Sequence, residues 1–213
     1  MAEIPLVLKL KKQMHKDIAR YQDIIVKELY SVFNNAVLHG GTAIWRCYKG
    51  NRFSEDIDVY VPKDEKHINI LFKNLEKSGF NVMKKKISEN SIFSKLESNR
   101  IIVRFEALFR KSAPSILKEY EKSDGNLVTV YTLTPEEFIK EKVETYIKRR
   151  KIRDMYDIFF LLRFVEDKKK VTSYLDNFFR NYKEPLDEKD LKTIIIEGLI
   201  PSTQKMMEYI RSA

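Results

Sequence analysis

Apolar residues recur at helical spacing from Gln13 to about residue 34, with Ile18, Tyr21, Ile24, Ile25, Leu29 and Phe33 on one stripe, and this predicts an opening helix. The run Ala36-Val37-Leu38-His39 predicts a short strand ending at Gly40-Gly41, after which Thr42 is placed to cap a helix from Ala43 to about Tyr48. Asp56 and Asp58 alternate with Ile57, Val59 and Val61, the period of a strand whose two carboxylates leave from one face. A helix from an Asp64 N-cap to Ser78, stopped by Gly79, precedes strands expected at 81–86, 92–97, 101–109 and 127–132. Such an order predicts an α/β unit with a mixed sheet.

From Thr134-Pro135-Glu136-Glu137, an N-cap followed by an acidic first turn, only helical spacing remains. Helices are expected at 135–149 and 153–165, then near 171–181, 187–197 and 201–211, with turn signals at Pro185 and between Gly198 and Pro201. The expected organisation is therefore a catalytic α/β part over 1–132 and a helical part over 133–213.

The 213 residues, 43% hydrophobic and 33% charged, have the composition of a folded globular protein, with no low-complexity stretch. No apolar run approaches the length of a bilayer span, and Met1-Ala2-Glu3-Ile4-Pro5-Leu6-Val7 lacks a basic segment before its apolar patch, so a cytoplasmic location without a membrane partner is expected. Cys47 is the only cysteine and there are three histidines, which excludes an internal disulfide and a structural zinc site and leaves oxygen-ligated hard metals. The net charge of +9 includes basic runs at Lys84-Lys85-Lys86, Lys148-Arg149-Arg150-Lys151 and Lys168-Lys169-Lys170. Such runs attract phosphates, or simply solvate surface elements.

Only six glycines occur, so the adjacent pair marks a backbone that bends tightly or approaches something closely, with N–H groups exposed at a helix start. Two acids side by side repel each other unless a cation joins them. Together these features suit a site for metal and polyphosphate. A third acid is expected from a neighbouring strand; Glu106 shares a face with Ile102, Arg104 and Leu108, and its other reading is a salt bridge with Arg104. Farther on, Lys142 and Arg149 are seven apart and share a helix face, with Tyr146 between them able to stack on a base or ribose. This aligned pair could hold the β- and γ-phosphates. Arg153 and Asp157 are spaced to pair with each other, and Asp154 to cap its helix.

These residues resemble the nucleotidyltransferase superfamily related to DNA polymerase beta, whose signature is Gly-Ser followed by Asp-x-Asp, with Thr42 standing where Ser is usual. More narrowly, Gly40-Gly41-Thr42-Ala43 with Arg52-Phe53-Ser54-Glu55-Asp56-Ile57-Asp58 is similar to the AbiEii and MenT group, nucleotidyltransferase toxins of type IV toxin–antitoxin systems. Glu141-Lys142, Arg149 and Arg153-Asp154-Met155-Tyr156-Asp157-Ile158 are similar to that group's later motifs. The resemblance covers about Gly40 to Leu162. It implies an α+β fold, a nucleotidyltransferase-like mixed β-sheet with flanking helices followed by a C-terminal helical subdomain that completes the nucleotide cleft.

The implied activity is metal-dependent transfer of an NMP from an NTP to an acceptor hydroxyl, with pyrophosphate leaving. Asp56, Asp58 and Glu106 would hold one or two Mg2+ ions. Gly40, Gly41, Thr42, Arg52, Ser54, Lys142, Tyr146 and Arg149 would bind the nucleotide, and Asp157 would orient Lys142 or assist deprotonation of the acceptor. The resemblance also implies an RNA acceptor, the 3′ end of tRNA, and a cognate antitoxin. Two other readings stay open: a small-molecule or protein acceptor, and a nucleotide- or RNA-binding module without catalysis.

Overall fold

A computed structural model describes residues 4–110 and 114–213; the first three residues of the opening segment lie outside it, as do 111–113. The chain divides into two compact units, Met1–Thr132 and Leu133–Ala213. Among the described residues no helix is long and apolar enough to cross a membrane.

The first unit runs α1 (Leu6–Lys9), α2 (Gln13–Val32), β1 (Val37–His39), α3 (Gly40–Cys47), β2 (Ile57–Val61), α4 (Glu65–Lys77), β3 (Asn81–Ile87), β4 (Ser91–Ser98), β5 (Ile101–Phe109), β6 (Ile116–Glu121) and β7 (Leu127–Thr132). The seven strands form one sheet in the order β3-β4-β5-β2-β1-β7-β6. It is mixed, because β2 runs parallel to β5 and β1 parallel to β7 while the remaining pairs are antiparallel. Alternation decides which side each residue serves. On β4 and β5, Ile92, Leu96, Val103, Phe105 and Ala107 are buried, and Phe105 meets Phe72 of α4 edge-on at 6.4 Å. Residues in between, Phe93, Lys95, Arg104 and Glu106, stand on the opposite face and are only partly buried. A two-residue turn, Asn99 and Arg100 with φ of 48° and 66°, joins these strands and suits the right-handed twist of a tight hairpin.

Three local expectations are corrected. Helix α3 starts at Gly40 rather than Ala43, so His39 is its N-cap residue and Thr42 lies inside the helix rather than capping it. Gly40 makes the early start feasible with φ of +69°, which a side chain would resist. Strand β2 starts at Ile57, leaving Asp56 just before it. Strand β6 had no clear signature, since its exposed positions mix Leu117 with charged residues and only Tyr120 and Glu121 are buried.

The second unit runs α5 (Pro135–Arg149), α6 (Ile152–Leu161), a 3-10 turn (Leu162–Phe164), α7 (Lys169–Arg180), a second 3-10 turn (Glu188–Asp190), α8 (Leu191–Ile194) and α9 (Thr203–Ser212). Thr134 caps α5 by accepting from the Glu137 N–H at 3.3 Å. Phe138, Val143, Tyr146, Ile158, Leu161, Phe178 and Met206 are buried in its core. The helix expected over 187–197 shrinks to about a turn at each 3-10 and α8 segment: Leu191 is its one fully buried anchor, and Asp187 instead caps α6 by accepting from the Ile152 N–H at 2.7 Å.

Candidate active site

The sheet register builds the acidic cluster. Asp58 of β2 lies directly opposite Glu106 of β5, and on its other side opposite His39 of β1. Paired residues on neighbouring strands project from the same face, so Asp58 and Glu106 face the same side. Asp58 also presses on the glycine turn: a Cβ on Gly40 would stand 2.0 Å from its Oδ2. Gly40 is thus required twice, for its positive φ and for the carboxylate beside it. Gly41 is crowded in the same way by Arg52 and Ser54, whose Nη2 and Oγ would meet a Cβ there at 2.5 and 2.6 Å. His39 stacks on Tyr60 with ring centroids 4.0 Å apart, a packed histidine.

Thr42 is buried, and its hydroxyl donates to the Asp56 carbonyl, tying α3 to the segment that enters β2. Buried Gln22 reinforces this tie by donating to the Ser54 carbonyl at 2.9 Å and to Thr42 Oγ1 at 3.3 Å. The Gln22 contribution was not foreseen; a polar residue on the apolar stripe of α2 was its only signal.

Arg104 takes a different partner from the one expected. Its Nε and Nη2 donate to the two Asp56 oxygens, both at 2.6 Å. The salt bridge suggested for Glu106 is therefore made by Asp56. Burial works against the charge on Arg104, but the hydrogen bonds and charge of Asp56, with the Glu106 and Glu55 charges, outweigh it and raise its pKa. Glu106 is raised as well, first by burial and then by the Asp58 and Asp56 charges. Among the described residues no three His, Cys, Asp or Glu side chains are drawn tightly enough to hold a metal ion. The oxygen chemistry of Asp58 and Glu106 nonetheless fits a hard cation: these are facing acids, and burial together with the Asp58 and Asp56 charges raises the Glu106 pKa. Asp56 is engaged by Arg104 through both oxygens. A cavity of about 560 Å³ lined by Ile24, Tyr30, Tyr120 and Val130 shares no residue with this cluster.

In the helical unit, Lys142 of α5 points its ammonium at Asp157 of α6, 2.7 Å away, and lies 3.6 Å from Asp154. Both carboxylates are fully buried and the lysine side chain is only 9% exposed. Asp154 does not cap its helix; it takes Arg149 through both oxygens at 2.7 and 2.8 Å. Asp157 accordingly serves Lys142 rather than pairing with Arg153. Arg149 keeps 42% of its side chain exposed. Tyr146 is fully buried, stacks on Tyr182 at 6.0 Å and donates to the Lys183 carbonyl at 2.7 Å, so its ring is part of the core and offers no face to a base.

Set against known proteins, the chain matches the family model of the AbiEii nucleotidyltransferase toxins of type IV toxin–antitoxin systems over residues 26–208. No curated protein sequence gives a significant match. Solved structures share the fold, among them the following two. JHP933 from Helicobacter pylori is 18% identical, with a TM-score of 0.64 over 94% of this chain and 90% of its own. A protein described as a nucleotidyltransferase from H. pylori is 18% identical, with a TM-score of 0.61 over 94% of this chain and 93% of its own.

Proposed function

The chain belongs to the AbiEii nucleotidyltransferase toxin family and is a nucleotidyltransferase, and from that premise we propose that it moves an NMP from an NTP to a hydroxyl at the 3′ end of tRNA, as the toxin of a type IV-like pair with a cognate antitoxin. The observation that carries this reading is the Asp58–Glu106 strand pairing, set against a glycine turn that only a Cβ-free backbone could approach so closely.

The residues divide the work. Asp58 and Glu106, with Asp56 once released from Arg104, are the donor set for one or two Mg2+ ions. When bound, such ions would neutralise triphosphate charge and orient the attacking and leaving oxygens. The start of α3 at Gly40 and Gly41, where N–H groups and the helix dipole favour an anion, is the phosphate position, and the missing Cβ atoms let Asp58, Arg52 and Ser54 close around it. Thr42 fixes the height of this turn above β2 through its bond to the Asp56 carbonyl. Arg52 and Ser54, packed on Gly41, wall the phosphate position. Asp157 orients Lys142.

In the transfer, the acceptor oxygen bonds to the α-phosphorus while the bond to the α,β-bridging oxygen breaks. Pyrophosphate leaves with that electron pair, and the acceptor proton passes to solvent. One observation favours a second reading. Arg104 holds both oxygens of Asp56, as it would in a module that binds nucleotide without turnover.

Incubation with Mg2+, each labelled NTP and total tRNA tests the main reading. Label should pass to tRNA with wild type and not with Asp58→Ala. Equal transfer by Asp58→Ala would sink the mechanism, and NTP binding without transfer to any acceptor would favour the second reading.

A further inference from the structure

The basic run Lys84-Lys85-Lys86 is split by the strand that carries it. Lys85 turns toward the helices, where its ammonium lies 4.1 Å from the centroid of Phe72. Lys84 and Lys86 leave from the opposite face, the side of the sheet that carries Asp58 and Glu106. Two rows then cross the strands. Lys84 pairs with Lys95, and Lys95 with Arg104, whose guanidinium ends on Asp56. Lys86 pairs with Phe93, Phe93 with Glu106, and Glu106 with Asp58.

The first row is physically unusual. Like charges directly opposite one another on paired strands destabilise a sheet, yet three cations stand in line here. Lys84, Lys86 and Lys95 make no ion pair among the described residues. Glu97 and the acidic cluster are the anions on this face, and Arg104 already answers Asp56. Apolar surface lies beside the cations: Phe93, with the Lys84 ammonium 5.6 Å from its ring centroid, and the exposed Ile102. A run of lysines that merely solvated an edge strand would need neither this alignment nor an aromatic ring in the second row.

We propose that this open face of β3, β4 and β5 carries a single-stranded RNA, with Lys84, Lys86 and Lys95 on consecutive phosphates and Phe93 beside an unstacked base, so that the strand runs toward the acidic cluster. The proposal rests on the transferase reading and adds to it the surface that receives the acceptor. A polyanion relieves the repulsion along the row, and the half-buried Phe93 ring suits a base that is free of a duplex. With strands about 4.8 Å apart, the β3 lysines stand about 14 Å from β2, a reach that a few nucleotides span.

The test is fluorescence anisotropy of the full chain with a labelled single-stranded RNA 12-mer, in EDTA and without NTP, so that binding is read apart from transfer. Each lost phosphate contact should remove about 0.7 from the slope of log affinity against log salt. Lys84→Gln, Lys86→Gln and Lys95→Gln combined should therefore lower the slope by about 2 and weaken binding about tenfold or more at moderate salt. The corresponding Lys→Arg triple should bind as wild type does, and a Lys168→Gln, Lys169→Gln, Lys170→Gln triple should lose far less.

Unchanged affinity and slope in the first triple would overturn the proposal. So would an equal loss in the Lys168 to Lys170 variant, or competition by polyglutamate as effective as that by RNA, which would mark a surface for acidic proteins. If wild type transfers to no RNA but the first triple loses RNA binding, the surface stands and the acceptor assignment falls; if transfer to RNA occurs and the triple is unaffected, the surface falls alone.

Discussion

Replacing Lys142 by Met would leave Asp154 and Asp157 buried with one cation fewer. In the wild type the Lys142 ammonium sits 2.7 Å from Asp157 and 3.6 Å from Asp154, both carboxylates having no exposed side-chain surface. Arg149 remains bidentate on Asp154, so the charge stranded by the substitution is mainly that of Asp157. Removing one partner of a buried pair costs about 3–5 kcal/mol, because the other charge stays out of water without compensation. For a chain of this size that corresponds to a fall in melting temperature on the order of 10 °C. A second substitution separates this cause from lost packing: Lys142→Met with Asp157→Leu removes both charges and should recover most of the loss, as apolar replacement of a buried pair often does. Differential scanning fluorimetry without nucleotide checks both. If Lys142→Met melts within about 2 °C of wild type, or if the double variant is as unstable as the single one, the ammonium is not what balances α6 against α5.

Arg104→Met should tighten binding of Mn2+ in the absence of NTP, because a cation reaching Asp56 no longer has to displace a bidentate guanidinium. With 42% of Arg104 and 20% of Asp56 exposed, solvent screening reduces the pair to about 1 kcal/mol, or about fivefold in Kd by calorimetry; equal or weaker binding would contradict it. Glu106→Gln should raise thermal stability at neutral pH. The Glu106 carboxyl is raised in the fold, so its ionised form costs stability above that range. The advantage of Gln should close as the pH falls through the range where Glu106 takes up its proton in both folded and unfolded chains, and a constant difference across pH would rule out this cause.

Much of the site was legible because strands write their faces into alternate positions. Ile57 between Asp56 and Asp58, and Phe105 beside Glu106, are apolar because they pack behind the sheet, which made Asp58 and Glu106 candidates for one face, and the β2–β5 register sets them opposite each other. The seven-residue spacing of Lys142 and Arg149 was equally visible. Asp157 as a partner of Lys142 came only from the family resemblance, and Asp154 as the partner of Arg149 was not read at all, because both meet α5 only through the packing of α6 on it. Tyr146 was misread for the same reason: period alone does not tell a ring facing a ligand from one facing Phe178 and Tyr182. Thr42 followed the rule for a helix cap, but Gly40 adopts a positive φ that lets the helix begin before it. Arg104 was seen on the right face, and which acid it would choose depended on Asp56 lying outside the strand.

The tight turn at Asn99 and Arg100 carries no chemistry, yet it governs which side of the sheet the third acid serves. By joining Ser98 to Ile101 it sets the ladder that places Phe93 across from Glu106. A strand shifted by a single residue exchanges its two faces. One inserted residue at that distant bend would send Glu106 into the layer packed by α2 and α4 and bring an apolar neighbour out beside Asp58. The face that carries Asp58 and Glu106 is, in this sense, spelled at the hairpin end, and changes there reach the acidic cluster from outside it.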